Sequence, residues 1–432
     1  MSQPAAFGPT LTLPYGHASR QLRLPPGVEP AFVRSTPAPA ASPPREVLRA
    51  ALDAPVASAP LRQLARGRGS ASVLVPGKTR VAALEHVVPL LLDELEAAGV
   101  PARATEVVLA TGTHEHHLES DIVRLLGERT ARRVRCRAHA CREGDTLSKL
   151  GVTSRGTPVW LDAGVLASEV VVATGRIVPH YFAGFSGGRK ALVPGVAGWD
   201  TIVANHRLTL GGHSGIDPGC RPGRLADNPV HLDMCEAASM APPDFVVNTV
   251  QDERGRVVAA VAGHWERAFE RGCAVAGEQL CAVLDEPIDL LVTSAGGNPH
   301  DGNFMQSIKA VLNLEDAIAP GGAVLWLAEA AGDLHPGFRT WLAIGDDAEL
   351  DRRVRANYDL TGHNSILLRR LQRRADVHLH SALDDDVVRE LGFTPAPDPQ
   401  RTFDALAARL PANARLAVVH AANVIAARAP TR

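Results

Sequence analysis

Lysine is almost absent from this chain, and one of the few that remain sits among other residues able to do chemistry. Of 45 Lys plus Arg, four are lysines: Lys78, Lys149, Lys190 and Lys309. Arginine serves wherever a positive charge is enough. A retained lysine is therefore a candidate for work that needs a primary amine, because guanidinium stays protonated and is a poor nucleophile. Lys190 closes the run Pro179-His180-Tyr181-Phe182-Ala183-Gly184-Phe185-Ser186-Gly187-Gly188-Arg189-Lys190, ten residues after His180 and sixteen before His206. The bland reading is a packed aromatic and glycine turn. Against it, the segment gathers a base, an amine and a metal ligand, which points to a bound or covalent cofactor.

Three further segments carry candidate groups. Pro76-Gly77-Lys78-Thr79-Arg80 closes a predicted strand and opens a predicted helix, where backbone N–H groups can hold a phosphate or carboxylate. It resembles the end of a P-loop, but Ser72 stands where that motif requires its first glycine, which argues against a nucleotide triphosphatase. A helix start with a solvated Lys and Arg is the plain alternative. Thr111-Gly112-Thr113-His114-Glu115-His116-His117 follows an apolar strand, and strand carboxyl ends are where α/β proteins place chemistry. His114 is the candidate there, with His116 and His117 read as exposed loop residues. In the fourth segment, Gly296-Gly297-Asn298-Pro299 precedes Asn303, Gln306 and Lys309. Gln306 and Lys309 are three apart on a predicted helix, so they share a face and can grip a carboxylate together.

The elements that must position these groups alternate between short apolar runs and amphipathic stretches. Strands are predicted at 72–76, 106–110, 159–161, 169–173, 288–293, 323–328 and 415–420, with a hairpin over 245–262. Helices are predicted at 82–98, 118–126, about 264–284 and about 304–317. The pattern is that of two α/β domains. An N-terminal domain over 1–270, with a Pro/Ala-rich loop at about 35–45, is joined by a helical linker near 265–286 to a C-terminal domain over 285–432. The site is expected in the cleft between them.

The chain has 432 residues, 45% hydrophobic content and a formal charge of −2. It reads as a soluble globular protein, and the near-neutral charge supplies no case for nucleic acid or an anionic membrane. Met1–Thr12 shows no secretory pattern, no apolar run reaches membrane-spanning length, and the six cysteines form no CxxC pair, so a cytoplasmic protein with free thiols is expected. Nothing in the sequence sets an oligomeric state.

Together these residues resemble the lactate racemase family, whose members carry a nickel-pincer nucleotide and act on 2-hydroxy acids. The resemblance runs from Leu13-Pro14-Tyr15-Gly16 to the helix bearing Gln306 and Lys309, through Thr79-Arg80, Thr111-Gly112-Thr113-His114, the segment ending at Lys190, Ala204-Asn205-His206, Arg221-Pro222-Gly223-Arg224-Leu225 and Asn228-Pro229-Val230. It implies that Lys190 binds the cofactor (nickel pyridinium-3,5-bisthiocarboxylate mononucleotide) covalently through a thioamide, and that His206 ligates its nickel. It implies His114 and His180 as the two acid/base histidines, Gln306, Lys309 and Arg80 as substrate contacts, and Gly77, Lys78, Thr79 and Arg80 as the cofactor-binding turn. Proteins acting in trans would make the cofactor. The chain departs from the family's usual pattern at Gly77, where an aspartate is usual, and at Met305, where an aromatic residue often precedes the glutamine.

The expected activity is racemisation or epimerisation of a small 2-hydroxy acid. The hydrogen at C2 is weakly acidic, so moving it as hydride avoids a carbanion. One base takes the hydroxyl proton while an electrophilic cofactor carbon accepts the hydride, and the planar 2-keto acid can then be reduced on either face. Two imidazoles on opposite sides, with pKa values near working pH, suit this. Two other readings stay open: a cofactor-binding homologue without racemase activity, motivated by Gly77, and a nicotinamide-dependent 2-hydroxyacid dehydrogenase. The last lacks a GxGxxG after a strand.

Overall fold

The computed structural model describes residues 9–25, 28–36, 42–114, 119–411 and 413–430. The chain divides into two compact units: one made of 37–209 and 217–279, the other of 1–36, 210–216 and 280–432. Both are α/β.

The first unit is built on a six-stranded sheet in the order Val257–Gly263, Phe245–Gln251, Val171–Arg176, Ala71–Pro76, Thr105–Ala110, Arg135–Ala138. All neighbours are parallel except the hairpin between Phe245–Gln251 and Val257–Gly263. Ala71–Pro76 is buried at every position, the signature of a central parallel strand. Helices Pro44–Asp53 and Leu84–Ala97 deliver Leu48, Leu52, Val88, Leu91 and Leu95 to one core with Val73, Val107 and Val172 of the sheet. From Ala71–Pro76 the chain moves outward to Thr105–Ala110 and Arg135–Ala138, then returns to the other side of Ala71–Pro76 at Val171–Arg176. That reversal makes the carboxyl ends of Ala71–Pro76 and Val171–Arg176 the topological switch point, where open α/β sheets form their binding crevice.

A buried ion-pair network braces this end of the sheet. Asp162 accepts from Arg137 Nη1 and Nη2 at 2.7 Å each, from His139 Nδ1 at 3.0 Å and from the Val165 N–H at 3.0 Å. His139 Nε2 lies 3.0 Å from the Ala197 carbonyl, just beyond the Lys190 segment. Burial works to raise the Asp162 pKa, but the hydrogen bonds from His139, Arg137 and Val165 prevail and hold it well below the usual carboxylate range. A depressed folded pKa contributes stability that is present above the unfolded value near 4 and is lost as pH falls through the folded one. Asp162→Asn should therefore cost about 3 kcal/mol at pH 7, and the gap to wild type should narrow only below about pH 4. Urea unfolding across that range checks this; a variant as stable as wild type at pH 7 contradicts it.

The second unit holds a parallel sheet in the order Thr394–Pro395, Ala375–His380, Ile318–Leu327, Ile288–Ser294, Leu416–Val419, Ala31–Phe32. Here the division departs from the expected 1–270 domain. Residues 1–36 belong to this unit, because Ala31–Phe32 pairs with Leu416–Val419 and the hairpin Thr10–Tyr15/Ala18–Arg23 packs Leu11, Leu13 and Leu22 with Val292 and Phe403. The expected helix over 264–284 is Arg267–Leu280, and Cys281–Val283 continues as a strand paired with Ala426–Arg428. The expected helix over 304–317 is three short pieces: Phe304–Ser307, Lys309–Leu312 and a 3-10 turn at Glu315–Ala317. No helix among the described residues is long and apolar enough to cross a membrane.

Candidate active site

The Lys190 segment is a tight hairpin followed by a helical turn. Pro179–His180 pairs with Gly184–Phe185, and Gly188–Ala191 forms a 3-10 turn that carries the lysine. Two glycines are required here. Gly187 has φ +80° and a Cβ there would meet Asn248 Oδ1 at 2.8 Å, while Gly188 has φ +52° and a Cβ there would meet the Phe269 ring at 2.5 Å. Arg189 is fully buried, donating to the Phe185 and Ala183 carbonyls at 2.9 Å each and stacking on Phe269. It anchors the turn on the side away from the pocket that Lys190 lines.

Phe182 gathers three of the expected residues. Its ring centroid lies 4.5 Å from that of His180, edge to face, and 5.3 Å from that of His206. Lys190 Nζ lies 5.5 Å from the same centroid. His180 is buried, stacks on Tyr181 and accepts from the Ala183 N–H through Nδ1 at 3.4 Å. His206 sits in the last turn of helix Trp199–Arg207. Its neighbour Asn205 is fully buried and ties that helix to Val230 and Asp233 of helix Pro229–Ser239, which sets where His206 emerges.

A pocket opens at the switch point, lined by Pro76 and Arg80 after one strand, Thr174, Gly175 and Arg176 at the end of the next, and Ser186, Gly187 and Lys190 of the hairpin segment. Among the described residues no carboxylate lines it. The Arg80 guanidinium has no hydrogen-bond or ion-pair partner among the described residues, and burial pushes its pKa down, partly offset by Tyr181. Burial also lowers Arg176, to about 10, with Asp252 opposing. Both remain charged at neutral pH, so the pocket is built to receive an anion. Arg176 and Ser186 were not legible as site residues: an arginine at a strand end is ordinary until topology places it beside Arg80. A larger cavity of about 580 Å³ lies between helix Pro44–Asp53 and strand Val257–Gly263, but among the described residues alanine and valine dominate its lining and only Glu46 and Arg271 add charge.

The turn Gly77–Arg80 does not open a helix as expected. It closes on itself through Arg80 N–H to Gly77 O, and the helix begins only at Leu84. Ala83, just before Leu84, takes a left-handed conformation at φ 55° that a helix does not run through, and the Ala82 carbonyl makes a long 3.5 Å contact with the Thr249 hydroxyl of the neighbouring hairpin. Lys78 turns to Asp121 at 3.1 Å, leaving Arg80 as the cation of this turn that faces the pocket. His114 lies half-buried on the turn after Thr105–Ala110, at the same end of the sheet, and Gly112 N–H donates to the Gly195 carbonyl beyond Lys190. His116 and His117 lie outside the described residues. In the other unit Gln306 is buried and its Oε1 contacts Lys309 Nζ, as the spacing of three predicts. Asn303 caps that helix, and Asn423 donates to the Gln306 carbonyl.

Among the described residues no three His, Cys, Asp or Glu side chains group to hold a metal. His206 alone suits a metal whose remaining ligands arrive with an organic group, and a buried lysine in an acid-free pocket suits covalent anchoring of an anionic one. The residues fit the group that the sequence implies.

Fold and site define an α/β protein with an anion-accepting pocket and a buried lysine at the switch point of its sheet. The chain belongs to the lactate racemase family: it is 31% identical over 360 residues to a lactate racemase of Thermoanaerobacterium thermosaccharolyticum, covering 82% of this chain and 83% of that one. A lactate racemase of Lactiplantibacillus plantarum is also 31% identical, over 72% of each chain. Residues 15–216 match the family model for the lactate racemase N-terminal domain. The lactate racemase apoprotein from Thermoanaerobacterium thermosaccharolyticum superimposes with a TM-score of 0.85 at 27% identity, over 97% of this chain and 100% of that one. A protein from Thermotoga maritima shares the fold alone, with a TM-score of 0.67 at 17% identity, over 86% and 96% of the two chains. The chain is an isomerase of the racemase type.

Proposed function

We propose that this protein is a nickel-pincer nucleotide-dependent racemase or epimerase of a small 2-hydroxy acid. The observation that carries the reading is the convergence of His180, Lys190 and His206 on one Phe182 ring, with Lys190 lining a pocket that holds Arg80 and Arg176 and, among the described residues, no acid. Lys190 is the covalent anchor and His206 the protein's nickel ligand. When bound, the cofactor would supply an electrophilic carbon able to exchange hydride with C2. His114 and His180 act as the paired acid/bases: one accepts the hydroxyl proton of one enantiomer, and after the keto acid has turned the other, already protonated, gives its proton to the oxygen of the opposite enantiomer. The aromatic packing of His180 excludes water on its side and fixes the imidazole plane. Gln306 and Lys309 serve as the substrate carboxylate contacts, and Arg80 adds a cation beside the reacting oxygen. Gly77 to Arg80 form the turn that bears on the cofactor.

The test is intact-protein mass spectrometry and nickel analysis on protein made in cells that supply the pincer cofactor, followed by a screen of chiral 2-hydroxy acids starting with lactate. An adduct at Lys190, near-stoichiometric nickel and inversion of one acid support the reading. Unmodified Lys190, with a lactate racemase loaded in parallel, rejects it. An adduct with nickel but no inversion of any acid would favour the non-catalytic homologue.

A further inference from the structure

Arg176 ends strand Val171–Arg176 at the switch point, and the reading of the site so far leaves its guanidinium without a task. One terminal nitrogen donates to the Gln251 and Asp252 carbonyls at 3.4 and 3.3 Å, both long contacts. Its other N–H groups have no partner among the described residues. The nearby Asp252 carboxylate is already engaged: Oδ1 accepts from the Arg254 and Arg256 N–H groups at 3.0 and 2.9 Å, and Oδ2 from Arg256 Nε at 2.7 Å. Arg80 lines the same pocket and is likewise unpartnered among the described residues. Arg176 is buried and Arg80 half-buried, and two such cations in a pocket that no acid lines among the described residues are costly in the empty protein, both from lost hydration and from mutual repulsion. The cost is relieved when one oxyanion lies between them, since each guanidinium presents a planar fork that matches a phosphate or a carboxylate.

We infer that Arg176 and Arg80 form a two-guanidinium clamp for a single oxyanion, with Arg176 as a binding residue of this chain's site. The clamp rests on the reading that this pocket serves an anionic nucleotide and a hydroxy acid, and the shared chemistry is that of an oxyanion: the phosphate of the one or the carboxylate of the other. Ser186 lines the same wall; its hydroxyl makes only a 3.4 Å contact to the Val178 carbonyl and can turn to the same anion.

Isothermal titration of the full chain, prepared free of cofactor, tests this with three probes: nicotinic acid mononucleotide, its dephosphorylated riboside, and lactate. Arg176→Met should weaken one anion by roughly tenfold to a hundredfold, the loss of charge-assisted hydrogen bonds. Loss confined to the mononucleotide, with the riboside unchanged, assigns the phosphate; loss confined to lactate assigns the carboxylate. Arg176→Lys keeps the buried charge without the fork and should recover only part of the affinity, so it serves if the methionine variant does not fold. Wild-type affinity for all three probes in either folded variant overturns the clamp and leaves Arg176 a brace for the Gln251–Asp252 turn. Wild-type protein that binds none of the probes also overturns it. The Lys190 adduct measurement decides the cofactor reading separately.

Discussion

Lys190→Ala is expected to abolish both the covalent adduct and racemase activity, leaving a folded protein. The amine sits on a 3-10 turn that Arg189 and the close packing of Gly187 and Gly188 hold in place, so the backbone keeps its course when the side chain is shortened. The informative companion is Lys190→Arg. It keeps a cation in the pocket and so preserves the electrostatics shared with Arg80 and Arg176, but guanidinium cannot form the acyl link. Both variants should show the unmodified mass and lose near-stoichiometric nickel. Full activity in the alanine variant would sink the assignment of the anchor. Activity in the arginine variant alone would mean that charge, and not covalency, is what the position supplies.

Exchanging His114 or His180 for glutamine is expected to lower turnover by about 10²–10⁴, the usual contribution of a positioned acid/base. The two variants should differ in kind. With one imidazole left, each protein can still accept the hydroxyl proton of one enantiomer, so a single turnover started from D substrate and from L substrate should be asymmetric, in opposite senses for the two variants. The structural side effects differ as well. His180 is buried between Tyr181 and Phe182 and its replacement disturbs packing, whereas His114 lies half-buried on a turn and its replacement should leave the melting temperature close to wild type. Near-normal steady-state rates in either variant reject the two-base scheme.

Much of this site was legible because its signals are local. The paucity of lysine singles out Lys190, and the hairpin Pro179–His180/Gly184–Phe185 with the Gly187-Gly188 pair is encoded within twelve residues. The spacing of Gln306 and Lys309 predicts contact across one helical turn, and the two side chains meet. Apolar runs such as Ala71–Pro76 announce buried parallel strands by composition alone.

What the sequence by itself determined is therefore the class of many elements and which side chains are candidates for the chemistry, since both depend on neighbours a few residues away. The tertiary structure decided the rest. Ala31–Phe32 joins the C-terminal sheet because strand pairing is chosen by a complementary edge, here Leu416–Val419 nearly 400 residues on, and periodicity carries no record of a distant partner. The helix after Gly77–Arg80 starts late, at Leu84, because Ala83 takes a left-handed backbone conformation of which the sequence pattern carries no sign. Arg176 becomes a binding residue because the sheet reverses direction beside it and sets it in one pocket with Arg80 and Lys190. A lone arginine says nothing of its neighbours; two cations facing one acid-free pocket do, because burial makes their missing counter-charge expensive.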